Sequence, residues 1–142
     1  MSALFTVIEN GITMVFDLQN RARLLHFSAL PFNPETLGHD PDELSRFNLV
    51  EVNISGLDKP LERHGAGFTA TAPGHTLRYR QHEDTRNNDG RKLIFTLFDV
   101  NTAAEVEVHY QFYSQLSLLR SWSIIRNRGD APFTVEYLSS FV

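Results

Sequence analysis

In Glu105-Val106-Glu107-Val108-His109-Tyr110-Gln111-Phe112 every second residue is apolar. A strand points successive side chains to opposite faces of its sheet, so this row describes a strand with one dry face and one wet face. The same period of two recurs along the chain. It predicts strands at Phe5–Ile8, Ile12–Phe16, Leu24–Leu30, Leu49–Ile54, Thr76–Gln81, Lys92–Val100, Glu105–Tyr113, Leu118–Arg126 and Phe133–Phe141. Asn10-Gly11 between the first two runs is a hairpin signal, since both residues tolerate the positive φ of a type I′ turn. Asn87-Asn88-Asp89-Gly90, Asn101-Thr102-Ala103-Ala104 and Asn127-Arg128-Gly129-Asp130 carry turn chemistry between later strands. Many strands, short connections and almost no helix predict an all-β fold, an antiparallel β-sandwich.

Two segments break the pattern. Pro31 to Arg46 is a loop rich in Pro, Asn and Asp, in which Asp40 and Pro41 suit the start of one helical turn ending near Leu44. Gly56 to Gly74 reads as irregular loop with room for one short strand. The row Leu118 to Ile125 is apolar on both faces, which predicts a strand nearer the middle of a sheet. On that row Trp122 reads as a packed core anchor. Arg120 beside it reads as buried with a carboxylate partner, because an unpaired buried charge is too costly.

Composition removes several classes of function. With 142 residues the chain fits one domain, and eleven Phe suit a layered β core. A formal net charge of −4 without a basic block disfavours nucleic-acid binding. The absence of cysteine excludes disulfides, thiolate catalysis and cysteine-based zinc sites. The amino terminus has no basic start followed by an apolar run, and no stretch approaches a membrane span, so the expected location is cytoplasmic.

Residues able to carry chemistry are present but scattered. The six histidines form no H-x-H or H-x-x-x-H pair, so neither a metal nor another cofactor is expected. Glu83 and Asp84, after His82, read as solvated residues where a strand runs into a turn. No serine lies in a G-x-S-x-G elbow. Arg128-Gly129-Asp130 invites an adhesion reading, but a hairpin turn between Leu118–Arg126 and Phe133–Phe141 accounts for all three residues. The candidate site is the long loop holding Asp58, Arg63 and His64, which gathers both charges and a titratable ring on a β scaffold.

Several segments in order and spacing carry a resemblance. They are Leu49-Val50-Glu51-Val52-Asn53-Ile54-Ser55-Gly56 followed by Arg63-His64-Gly65, then Pro73 to His82, Val108 to Tyr113, Arg120 to Gly129, and Glu136 to Phe141. Together they resemble the amino-terminal β domain of the family 36 glycoside hydrolases, the α-galactosidases of melibiose- and raffinose-type sugars. That resemblance implies part of a larger β-supersandwich preceding a catalytic (β/α)₈ barrel. It implies retaining hydrolysis of α-galactosides by two barrel carboxylates about 5 Å apart. No catalytic residue is then expected here, and residues 1–142 are one non-catalytic domain. It also implies homo-oligomers in which a loop of this domain reaches a neighbour's active site, a role assigned to the Asp58–His64 loop. A free-standing carbohydrate-binding module and an assembly element that touches no sugar remain as alternatives.

Overall fold

The computed structural model describes residues 4–37, 47–57 and 71–141. Within them run β1 (Leu4–Glu9), β2 (Ile12–Asp17), β3 (Arg23–Ser28), β4 (Val52–Ile54), helix α1 (Ala72–Thr76), β5 (Arg78–Arg86), β6 (Arg91–Asp99), β7 (Ala104–Phe112), β8 (Leu119–Asn127) and β9 (Val135–Leu138). A 3₁₀ turn occupies Pro34–Thr36. The strands form an antiparallel three-stranded sheet β1-β2-β3, a four-stranded sheet β5-β6-β7-β8, and the pair β4-β9. The fold is an all-β sandwich, as the alternation predicts.

The predicted first hairpin is present. Glu9 pairs with Ile12, and Asn10 and Gly11 take φ of 50° and 80°, the left-handed pair that a type I′ turn requires. Asn10 also donates its side-chain amide to the Tyr113 carbonyl at 2.8 Å, which fixes this turn to the far sheet.

The two larger sheets meet through aromatic rings. Phe16 on β2 lies 4.6 Å from Phe95 on β6 and 5.9 Å from Tyr110 on β7, between ring centroids. Phe5 of β1 packs on His82 of β5 at 4.5 Å. Leu93, Phe95, Leu97, Val106, Val108, Tyr110 and Phe112 are all buried on the inner face of the four-stranded sheet. Burial lifts the Tyr110 hydroxyl well above the ordinary tyrosine range.

Several sequence expectations need correction. Strand β5 begins at Arg78, because Ala72–Thr76 forms a helical turn capped by Thr71, whose hydroxyl accepts from Gly74 N at 3.1 Å. It then runs through His82, Glu83 and Asp84 to Arg86, where a turn was expected. An edge strand supports this polar composition, since one flank of its backbone pairs with β6 and, Tyr79 and His82 apart, its side chains mostly face water. Among the described residues strand β8 is likewise an edge and not a central strand. Arg128-Gly129-Asp130 is no hairpin turn, because β8 pairs with β7 while β9 pairs with β4. The triplet starts a crossing between sheets. Asn127 Oδ1 accepts from Gly129 N at 2.9 Å, Arg128 N donates to the Ala103 carbonyl, and the Arg128 guanidinium reaches Glu105 at 2.8 Å. The helical turn expected at Asp40–Leu44 lies outside the described residues.

Candidate functional site

The loop residues Asp58, Arg63 and His64 lie outside the described residues, but both stems of their loop are defined. The stems are joined by one carboxylate. Glu51 is fully buried, and its side chain accepts from Asn48 Nδ2 at 3.0 Å, Thr71 N at 2.9 Å and Thr71 Oγ1 at 2.5 Å. Its backbone exchanges hydrogen bonds with Ser139, which ties the loop base to the segment after β9. A buried carboxylate is tolerated only with such a set of donors. Gly74 completes the joint by lacking a side chain. A Cβ there would stand 2.5 Å from Glu51 Oε2 and 2.6 Å from Thr71 Oγ1. Sequence reading missed Glu51 because it alternates with Val50 and Val52 and so looks like a wet-face residue. Cover from Thr71, α1 and Ser139 buries it just ahead of β4.

The second feature is the outer face of the four-stranded sheet. Ile94, His109 and Trp122 stand in one cross-strand row, and Lys92, Gln111 and Arg120 in the next. Trp122 stacks on His109, with centroids 4.9 Å apart and planes 18° from parallel. The Arg120 guanidinium and the Lys92 ammonium lie 5.1 Å and 5.6 Å from the Trp122 ring. Such cation–π contacts at exposed sites contribute about 0.5–1 kcal/mol each.

Trp122 is therefore a half-buried residue of the outer face and not a core anchor. Arg120 is exposed, and the aromatic ring takes the place of the expected carboxylate. The physical reason is the edge position of β8. With no strand beyond it among the described residues, an outward Arg keeps its hydration and needs no buried counter-ion.

The same ring covers His109 on β7's wet face. His109 and Gln111 are only 6% and 4% exposed, although they alternate with apolar residues in sequence. Gln111 exchanges hydrogen bonds with the Asn87 side chain at 2.7 Å and 3.2 Å. Further along, His109 Nε2 donates to Glu107 at 3.0 Å, and Arg126 meets Glu107 at 2.6 Å. Burial pushes the Glu107 carboxyl up, but hydrogen bonds from Arg126 and His109 outweigh it and hold it below the usual range. The outer face thus has an ion-paired end at Glu105, Glu107, Arg126 and Arg128, and a cationic end at Lys92 and Arg120.

Among the described residues no three acidic or histidine side chains converge as a metal site would require, and no helix is long and apolar enough to cross a membrane. What the arrangement offers chemically is recognition: an aromatic face, two cationic donors and a bare strand edge.

No family model matches the sequence, and no curated protein is significantly similar to it in sequence. Solved structures are similar in fold. GH36 α-galactosidase AgaA from Geobacillus stearothermophilus aligns over 89% of this chain and 22% of its own, with a TM-score of 0.55 and 14% identity. GH36 α-galactosidase AgaB from the same organism aligns over 90% and 22%, with a TM-score of 0.54 and 14% identity. A variant of AgaA in complex with raffinose matches to the same degree, a TM-score of 0.54 over 89% of this chain. The chain spans about a fifth of the length of these enzymes. The resemblance read from the sequence segments and the likeness in fold meet on the same enzymes: this chain has the fold of one β portion of the GH36 α-galactosidases.

Proposed function

We propose that this chain is the non-catalytic amino-terminal β domain, or the first part of it, of an α-galactosidase-like glycoside hydrolase acting in the cytoplasm. In that role it packs against a catalytic barrel of the same chain, aids oligomerisation and helps close the active site. The parent enzyme hydrolyses α-galactoside oligosaccharides with retention of configuration. The observation that carries this reading is the fold likeness over 89% of the chain but 22% of the enzyme. It is supported by similar enzymes crystallised with raffinose and stachyose. The clamp at Glu51 fits the role, because it fixes the base of the loop bearing Asp58, Arg63 and His64, our candidates for contact with a neighbouring site. The test is turnover of an aryl α-galactoside. Residues 1–142 alone are expected to show none, and the full product of the source gene is expected to be active. Activity in the isolated chain would sink the reading.

A second reading, a carbohydrate-binding module, is favoured by one observation, the placement of Trp122 on an outer sheet face between two cationic donors. It requires binding of galactose or raffinose at millimolar or tighter affinity, lost in Trp122→Ala with the fold intact. Calorimetry showing no binding by the parent chain would remove it.

A further inference from the structure

Strand β8 is nine residues long and pairs only with β7, so the outward backbone groups of Leu119–Asn127 have no strand partner among the described residues. Nine residues of bare edge span roughly 30 Å. Natural proteins guard such edges with lysine, proline, bulges or a covering element. Among the described residues its guards are two arginines, Arg120 and Arg126, and one hydrogen bond that the Ser121 hydroxyl donates to the Ser140 carbonyl on the inner side. The strand holds no proline and no acidic residue, its ladder to β7 has no bulge, and its charges are Arg120 and Arg126 alone. Beside it, on the inner side, a slot of about 300 Å³ is lined by Phe27, Leu119, Ser121 and Phe141. Phe27 and Phe141 of that lining are 47% and 41% exposed.

We propose that this edge pairs with the β8 edge of a second copy of the chain, antiparallel about a two-fold axis at Trp122. The inference deepens the oligomerisation part of the proposed function by giving it an address, and rests on that reading only to that extent.

The register follows from charge and pattern. Residues opposite each other in an antiparallel pair share a face, and in an isologous pair each contact occurs twice. Centring on Ser123 sets Arg120 against Arg126 of the other copy twice, which like-charge repulsion disfavours. Centring on Ile124 sets Ser121 against Asn127 and Ser123 against Ile125 on the inner side, so no apolar pair forms there. Centring on Trp122 removes both faults. The inner side then pairs Leu119 with Ile125 and Ser121 with Ser123, and carries the second copy's Ile125 to the apolar slot. The outer side sets Trp122 against Trp122 and Arg120 against Ile124. Aromatic and apolar cross-strand pairs of this kind are the ones that stabilise sheets.

The test is a charge swap read by light scattering across a concentration series. The parent chain is expected to reach twice the 16.2 kDa of one chain. Ile124→Lys sets Lys against Arg120 twice and is expected to give monomer. Arg120→Glu combined with Ile124→Lys sets Glu against Lys twice and is expected to restore the dimer. A cysteine-free chain allows an independent check that needs no loss of function. Trp122→Cys is expected to form a disulfide-linked dimer on mild oxidation, whereas Arg126→Cys, far from its own copy in this register, is not. A monomeric parent chain, a folded Ile124→Lys protein as dimeric as the parent, or equal crosslinking at positions 122 and 126 would overturn the interface. A dimer surviving Ile124→Lys places assembly elsewhere and leaves the domain reading standing. Turnover by the isolated chain removes that reading and leaves the interface untouched.

Discussion

Glu51 and Gly74 act as one joint. Glu51 holds three donors from Asn48 and Thr71, and Gly74 supplies the space in which the carboxylate sits. Glu51→Ala leaves those buried donors without their acceptor, a loss on the order of 3 kcal/mol. Gly74→Ala forces a methyl group to 2.5 Å from Glu51 Oε2, and since two elements must then separate it costs about 2–3 kcal/mol. Urea denaturation should show both losses, with Glu51→Gln losing less than Glu51→Ala because an amide oxygen still accepts. An unchanged midpoint for Glu51→Ala would mean that the clamp contributes nothing. This joint was not legible in the sequence, where Glu51 occupies a polar position of an alternating row. Its burial comes from Thr71 and Ser139, which are distant in the chain and invisible to a pattern of period two.

At the scale of elements, strand positions and turn chemistry were legible, and strand order was not. The Asn10-Gly11 hairpin and the β6–β7 and β7–β8 pairings follow from local signals. The crossing after Asn127 does not, because nothing local distinguishes a turn within a sheet from a passage to another sheet. Trp122 and Arg120 were misread for the same reason: two-faced apolarity cannot separate a central strand from an edge with a ring lying on its outer face. The strand corners are pinned by charge. Arg86 and Arg91 meet Glu9, and Arg91 meets Asp84 at 2.6 Å, linking β5 and β6 to β1.

Hydrogen bonding by these arginines lowers the pKa of Glu9 and of Asp84, and Glu107 is lowered as described above. A carboxylate whose pKa is depressed on folding contributes stability above its unfolded pKa, near 4, and loses it as the pH falls through the folded value. Stability should therefore hold from neutral pH to about 5 and decline below about 4. Glu9→Gln together with Asp84→Asn should flatten that decline. A urea midpoint that rises on acidification would refute the assignment.

For the whole molecule, the sandwich class and the likeness to GH36 enzymes were both legible, because alternation fixes the class and the segments around Glu51, His109, Trp122 and Ser139, with Pro73 to His82, carry the likeness. Glu51 and Ser139 sit at the loop base, and His109 and Trp122 on the outer sheet face. In the proposed role the chain supports hydrolysis without performing it. The most direct measurement is aryl α-galactoside turnover by three proteins: the full gene product, the product lacking residues 1–142, and residues 1–142 alone. Turnover by the first, a large loss in the second and none in the third is the predicted result, with partial recovery when the separate pieces are mixed. Hydrolysis by residues 1–142 alone, or full activity without them, would contradict the account.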